Sequence, residues 1–369
     1  MFDTRLRKNL DIPLIALTYG IALLGLLIIY SATHGDATAF HKKQFIFMLI
    51  GTVALIAAAS IDYHVYARFA KHFYLLNLVL LGLVLLPRFH NRVNGAARWI
   101  KIAGFLFQPS ELAKLIVIIT LGVFLTQRAA TIREPKTFLQ SFLYVVLPIL
   151  MIFKQPDLGT ALVVLSIWVG MVFIAGARLK HIAAFFGCGI LLFAAIWFSG
   201  KGISNYQRQR LITVFNPQAT SQKGGYQVTQ ARIAIGSGGL WGKGYLHGTQ
   251  VQGGYMPEKQ TDFIFTNIGE ELGFVGSVFI TVMYGLLLLR ASQVITTADE
   301  DQLGKLIATG IVTMLTFHVF VNIGMNVGIM PVAGVPLPLI SYGGTNLIMV
   351  LTCIGLLLSI SRHRHQLLF

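Results

Sequence analysis

Apolar residues run along this chain in unbroken stretches of about 20, long enough to cross a bilayer as helices. They fall at roughly 13–31, 44–60, 73–87, 109–126, 138–153, 158–176 and 181–199. After a polar stretch of about 60 residues they resume at roughly 263–289, 303–326 and 339–360. The runs are continuous rather than alternating, which argues for helices and against a membrane β-barrel. No internal repeat is visible. The pattern predicts an all-α polytopic membrane protein of about ten transmembrane helices, with a large extracytoplasmic loop between helices 7 and 8. Residues 1–369 read as a single membrane domain, and 200–262 as the loop inserted in it.

Composition agrees. Of the 369 residues, 55% are hydrophobic and 12% charged, where a soluble domain carries about a quarter charged. A net charge of +15 would suggest nucleic acid in a soluble protein. Here the basic residues lie mainly between apolar runs, where they set topology and meet anionic head groups, so no nucleic acid partner is expected. Cys188 and Cys353 both sit inside apolar runs without metal-ligand spacing, which suits buried packing. The first apolar run is long and lacks a small-residue cleavage pattern, so it is expected to stay as helix one.

Lysine and arginine set the orientation. With the N-terminus in the cytoplasm, the inside segments hold Arg5, Arg7, Lys8, Arg68, Lys71, Arg128, Arg133, Lys136, Arg178, Lys180, Arg290, Lys305, Arg362 and Arg364. The short outside loops hold about half as many, so both termini are expected in the cytoplasm. The long loop then faces the other side, the periplasm in a Gram-negative cell. No ATP or NAD is available there, so a substrate acted on at that face must carry its own activation.

Asp262 closes the polar loop and opens the eighth span, with Phe263, Ile264 and Phe265 directly behind it. A carboxylate at the mouth of a membrane segment is costly unless it has a partner or a task. Two readings are open: a helix N-cap, or a general base held where water meets lipid. Glu270 and Glu271 follow on the same helix, with Glu271 expected to face another helix or a cavity. Glu111 and Lys114 lie three residues apart just after Pro109, as a structural ion pair or as the lining of a polar cavity. Asp157, in Gln155-Pro156-Asp157-Leu158-Gly159-Thr160, is either an N-cap or a second acid near the same mouth.

The stretch from Ile235 to Gly244 is rich in glycine but fails the P-loop pattern, because Ser237 stands where glycine is needed and Gly244 where serine or threonine is. It is either a solvated loop or a cradle whose N–H groups hold a pyrophosphate with Arg208, Arg210, Arg232 and Lys243 nearby. Pro331, Pro336 and Pro338, with Gly334, Gly343 and Gly344, exclude regular helix before the last span. Irregular backbone at membrane depth is tolerated only against protein or a cavity, so a re-entrant or capping segment over the site is expected. His318 and Asn322, one turn apart, read as interhelical hydrogen-bonders rather than ligands.

The stretches FQPSELAK, QPDLGT, YQRQR, IAIGSGGLWGKGYLHGTQ, PEKQTDFIF with EELG, and GVPLPLISYGGT resemble the SEDS polymerases of bacterial cell-wall synthesis, in family order over most of the chain. The resemblance is closer to the elongation branch than to the division branch. It implies a peptidoglycan glycosyltransferase of the cytoplasmic membrane, working at its periplasmic side on lipid II, a disaccharide-peptide on undecaprenyl pyrophosphate. The family's essential acid matches Asp262, its paired acid and lysine match Glu111 and Lys114, and its other acid matches Asp157. Arg208, Arg210, Lys243 and Ser341 are expected on the substrate or its pyrophosphate. A divalent cation, Mg²⁺ or Mn²⁺, is expected to help neutralise the leaving group, and no nucleotide cofactor is expected. The implied partners are a class B penicillin-binding protein, which supplies transpeptidation, and MreC and MreD. Two departures concern fine contacts: Gln260 stands where histidine is frequent, and Thr345-Asn346 replace a serine-rich ending.

The implied chemistry is an inverting displacement with Asp262 as base. The rival is a transporter or flippase of lipid-linked precursor, which also suits about ten helices and intramembrane charge. A carrier needs polar groups along the whole path, whereas here they cluster at the outer ends of the fourth, sixth and eighth spans.

Overall fold

The computed structural model describes residues 11–35, 38–86, 91–93, 96–102, 105–199, 223–256, 258–298 and 301–363. In chain order it holds α1 (Ile12–Ala32), α2 (Phe40–Ser60), a short α3 (Tyr63–Arg68) and α4 (Ala70–Leu85). A three-stranded antiparallel meander follows, β1 (Asn91–Val93), β2 (Ala96–Ile102) and β3 (Phe105–Phe107). Then come α5 (Pro109–Gln127), α6 (Pro135–Lys154), α7 (Leu158–Ile174), α8 (Leu179–Ser199), α9 (Lys223–Ser237) and the one-turn α10 (Thr249–Gln252). The chain closes with α11 (Ile264–Glu271), α12 (Gly273–Thr297), α13 (Gln302–Asn326) and α14 (Gly344–His363). Among the described residues seven of these helices, α1, α2, α5, α6, α12, α13 and α14, are long and apolar enough to cross a membrane. The shorter apolar helices α4, α7 and α8 bring the set to the ten expected. The chain is an all-α, multi-pass membrane protein.

Helix starts follow local chemistry. Asp11 and Asp157 accept the Leu14 and Thr160 amides, Asp301 accepts those of Leu303 and Gly304, and prolines occupy the first turns of α1, α5 and α6. With apolar residues on every face, a helix is either central or lipid-facing. α5 is central, 83% of its most apolar window being buried, whereas α2 presents Leu49, Val53 and Ile56 outward. α2 packs tightly on α14: a Cβ at Gly355 would stand 2.4 Å from the Leu55 carbonyl.

Hydrogen bonds tie neighbouring helix ends together: Ser31 of α1 to Glu271, Gln108 before α5 to Thr345 of α14 and to Asp157 before α7, Gln155 after α6 to Leu81 of α4, and Asn326 of α13 to Asp262. The opposite end carries Asp301.

The structure corrects the eighth span. The run expected at roughly 263–289 is two helices, α11 and α12, broken at Leu272 and Gly273. The break holds because the glycine-rich loop satisfies both freed helix ends. Lys243 and Gly244 amides donate to the Glu270 and Glu271 carbonyls (3.0 Å each), while Phe274 and Val275 amides donate to Gly239 and Leu240 (2.9 and 3.1 Å). Gly273 has φ +67 and its Cβ would stand 2.3 Å from the Gly242 nitrogen, so no larger residue fits. The meander and the helices α9 and α10 were likewise not anticipated in what read as loops.

The proline-rich stretch is re-entrant, as expected. His318 Nδ1 meets the Pro336 carbonyl at 3.1 Å, and Asn322 Nδ2 donates to Val335 at 2.8 Å. His318 lies two turns, about 12 Å, inside the end of α13, so residues 335 and 336 sit well within the bundle. Tyr284 donates to the Pro338 carbonyl, and Gly25 of α1 gives way to Ile340, whose Cα would lie 2.7 Å from an added Cβ.

Candidate active site

Asp262 lies in a turn just before α11 and is half-buried. It is not the cap: Phe263 holds that position without a side-chain bond, and Asn326 Oδ1 accepts the Thr266 amide (3.1 Å) from across the bundle. Three consecutive carbonyls of this turn are held. Gln260 accepts from the Tyr342 amide (2.8 Å), Thr261 from the Ser341 hydroxyl (2.6 Å), and Asp262 from the Asn322 and Asn326 amides (3.0 Å each). The Asp262 carboxylate faces Gly334, where a Cβ would stand 3.5 Å from Oδ2.

The same re-entrant residues reach the second acid. A Cβ at Gly159, two residues past Asp157, would stand 2.3 Å from the Ala333 carbonyl. Residues 333–335 therefore form a wall with Asp262 on one side and the first turn of α7 on the other. Asp157 itself is buried, caps α7 through Thr160 (3.3 Å), accepts from Gln108 Nε2 (3.1 Å) and lies 3.6 Å from Arg98. The N-cap reading holds for this residue, together with an ion pair.

Glu111 and Lys114 form a 2.9 Å ion pair, with Lys114 wholly buried. Asn346 Nδ2 donates to Glu111 (2.7 Å), and Lys114 Nζ lies 3.0 Å from His318 Nε2. The Pro336 carbonyl can only accept, so His318 carries its proton on Nδ1 and accepts from Lys114 through Nε2. Inward of this network α5 continues with buried Leu115, Ile116, Val117, Ile118 and Ile119, and α13 with Met314 and Leu315. The polar network ends on an apolar floor.

Lys243, the glycine-rich loop and Ser341, expected on the substrate, have partners within the protein. Lys243 Nζ bonds Glu270 and Thr249, both at 2.7 Å, so its charge is already matched. In the glycine-rich loop the amides of Gly242, Lys243 and Gly244 donate within the protein. The loop's glycines allow backbone contact: a Cβ at Gly238 would stand 2.0 Å from the Gly269 carbonyl. Ser341 is buried and uses its hydroxyl on Thr261 and on the Leu337 amide (2.8 Å), which makes it a support for the Asp262 turn. Arg208 and Arg210 lie outside the described residues.

Glu270 and Glu271 differ although adjacent. Burial pushes Glu270 up, but bonds from the Gln250 amide, Lys243 and the Val251 amide outweigh it and hold its carboxyl below the ordinary value. Burial raises Glu271, and the Ser31 hydroxyl (2.6 Å) only partly offsets it. Asn326, Asn346, Arg98 and Gln108 escaped the sequence reading as site residues. Only Asn326 had a local signal, its spacing of four from Asn322 and eight from His318. Among the described residues no three His, Cys, Asp or Glu side chains come together to hold a metal ion.

Helices long and apolar enough to cross a membrane, with buried ionisable groups between them, define a polytopic membrane protein. The chain belongs to the FtsW/RodA/SpoVE family of cell cycle proteins, whose family model matches residues 12–366. It is 36% identical over 367 residues to the peptidoglycan glycosyltransferase MrdB of Escherichia coli strain K12, covering 98% of this chain and 96% of that one. It is 34% identical over 368 residues to the stage V sporulation protein E of Bacillus subtilis strain 168, covering 98% and 99%. Among solved structures it is similar to a chain from a peptidoglycan synthase complex that coordinates polymerization and crosslinking, with TM-score 0.84, 30% identity and coverage of 97% and 99%. The crystal structure of the rod shape determining protein RodA of Thermus thermophilus is also similar, with TM-score 0.69, 28% identity and the same coverage.

Proposed function

We propose that this chain is a peptidoglycan glycosyltransferase that polymerises lipid II into β-1,4 glycan strands during elongation of rod-shaped cells. The observation that carries the reading is the Asp262 turn, whose three consecutive carbonyls are held by four hydrogen bonds so that one carboxylate meets the re-entrant wall. Curated relatives named peptidoglycan glycosyltransferase support the activity.

In this reading the Asp262 carboxylate accepts the proton of the acceptor GlcNAc 4-hydroxyl. That oxygen attacks C1 of the donor MurNAc. The bond from C1 to the pyrophosphate oxygen breaks, its electron pair leaves with undecaprenyl pyrophosphate, and the α linkage becomes β. A single displacement with one base needs no covalent intermediate, and the donor supplies all the driving force. A pyrophosphate leaving group needs charge neutralisation more than a proton. With Lys243 engaged by Glu270, that task falls to Arg208 and Arg210. The described residues offer no three-ligand set, so no protein-held metal is assigned. Mg²⁺ is commonly bound by one or two carboxylates plus substrate phosphates, and we place the Mg²⁺ or Mn²⁺ on the substrate.

The site end faces the periplasm and both termini face the cytoplasm. Arg128, Arg133, Lys136, Arg178, Lys180, Arg290 and Lys305 flank helices at the opposite end, which suits the positive-inside rule. The partner is a class B penicillin-binding protein, in keeping with the relative from a synthase complex that couples polymerization to crosslinking, and MreC and MreD complete the assembly. The apolar floor below Lys114 disfavours a carrier, which needs a polar path through the bundle. The test is lipid II with the detergent-solubilised protein and its transpeptidase partner, where no transport is possible. Glycan strands are expected, and their absence in the presence of partner and divalent cation would favour the carrier.

A further inference from the structure

One face of α13 carries His318, Asn322 and Asn326, spaced by four and therefore stacked. Each of them bonds beyond the helix. Asn326 Nδ2 donates to the Asp262 carbonyl (3.0 Å) and to Asn322 O (2.8 Å), while its Oδ1 accepts from the Thr266 amide (3.1 Å) and hydroxyl (2.7 Å). That exhausts an amide's capacity. Asn322 Nδ2 donates to Asp262 O (3.0 Å) and Val335 O (2.8 Å). His318 joins Pro336 O (3.1 Å) to Lys114 Nζ (3.0 Å). The ladder thus grips the Asp262 turn and the re-entrant wall together, and its inner rung rests on the buried Glu111–Lys114 pair.

We propose that His318, Asn322 and Asn326 form a positioning ladder that fixes where the Asp262 carboxylate points, and that the Glu111–Lys114 pair contributes to catalysis through this ladder rather than by touching substrate. The inference rests on the proposed role of Asp262. The side-chain N–H groups of Asn322 and Asn326 all go to main-chain carbonyls, so the ladder has no donor directed at a ligand through either. Its effect on catalysis is transmitted by geometry, and misplacement of a reacting group by about 1 Å can cost on the order of 100-fold.

The test is a double-mutant cycle on polymerisation of lipid II by the full chain with its partner. Asn322→Leu is expected to lower kcat about 100-fold with KM within about threefold. In the Asp262→Asn background the same change is expected to have no further effect on the residual rate, because the group being positioned is gone. A purely structural role would lower the folded fraction and leave kcat per folded molecule unchanged in both backgrounds. If Asn322→Leu does not fold, Asn322→Ser, which keeps one donor, enters the same cycle with a smaller expected loss. Additive effects, or a kcat within threefold of wild type, would overturn the ladder while leaving Asp262 as base. An Asp262→Asn protein of near wild-type rate would overturn the base and the ladder together.

Discussion

Gly159→Ala tests whether the wall between the two acids sets the reaction geometry. The added methyl would stand 2.3 Å from the Ala333 carbonyl oxygen and 2.8 Å from Val335 Cγ2, where ordinary contact begins at 3.4 Å. The wall must therefore retreat by about 1 Å, and its next residue, Gly334, is the one that faces Asp262. Overpacking of this kind costs about 1–3 kcal/mol. Alanine in place of glycine early in α7 returns up to about 1 kcal/mol of helix propensity, so the net loss of stability is expected at about 0–3 kcal/mol and the protein stays folded. A 1 Å displacement of the wall is expected to lower the polymerisation rate about 100-fold, or about 2.7 kcal/mol in the barrier. The assay is glycan-chain formation from lipid II in detergent, with Tm measured on the same preparation. Gly187→Ala on α8, where an added Cβ meets nothing within 4 Å, is the control and is expected to match wild type. A Gly159→Ala protein that polymerises within threefold of wild type would refute the link between wall and reaction geometry.

Lys114→Met strands Glu111 with Asn346 as its remaining bonded partner, and is expected to cost about 3–5 kcal/mol, read as a lowered Tm. Adding Glu111→Leu is expected to restore much of that stability but not the polymerisation rate. Glu270 and Glu271 should respond oppositely to neutralisation. Glu270, held low in the fold, contributes stability above the ordinary carboxylate range that is lost as pH falls through its folded value, so Glu270→Gln is expected to lower Tm at neutral pH. Glu271, held high, carries an ionisation cost that is relieved as pH falls through its raised value, so Glu271→Gln is expected to raise Tm at neutral pH and to do less at acid pH. Equal shifts of the same sign in both variants would contradict this. Chelation of divalent cations is expected to stop polymerisation, with Mg²⁺ or Mn²⁺ restoring it; full activity in excess chelator would remove the cation from the account.

Spans were legible because a bilayer forces each helix to be apolar along its length. The split of the eighth span was not, since Phe274 and Val275 are as apolar as the residues of any span and the break is imposed by carbonyls of Gly239 and Leu240 far away in sequence. Glycines signalled close approach correctly but not what approaches. Gly238, Gly242 and Gly244, read as turn glycines of a solvated loop or as a cradle for phosphate, meet the backbone of α11 and α12 or close the loop that does. The partner of Lys243 was hidden for a similar reason, Glu270 lying 27 residues on. The re-entrant stretch was readable because its prolines and glycines exclude helix at membrane depth. The acids were readable because ionisable groups in apolar surroundings need a reason to be there. Among the rungs beside them, His318 and Asn322 were readable as hydrogen-bonders between helices, but not what they hold, because the Asp262 turn and residues 335 and 336 are brought to them only by the fold.

Asp262→Asn tests the proposed general base directly. The amide keeps the size of the side chain and leaves untouched the backbone carbonyl held by Asn322 and Asn326, but it cannot take the proton of a sugar hydroxyl. Purified with its partner and given lipid II, the variant is expected to stay folded and lose polymerisation by at least about 100-fold. Glycan chains formed at close to the wild-type rate would contradict the account.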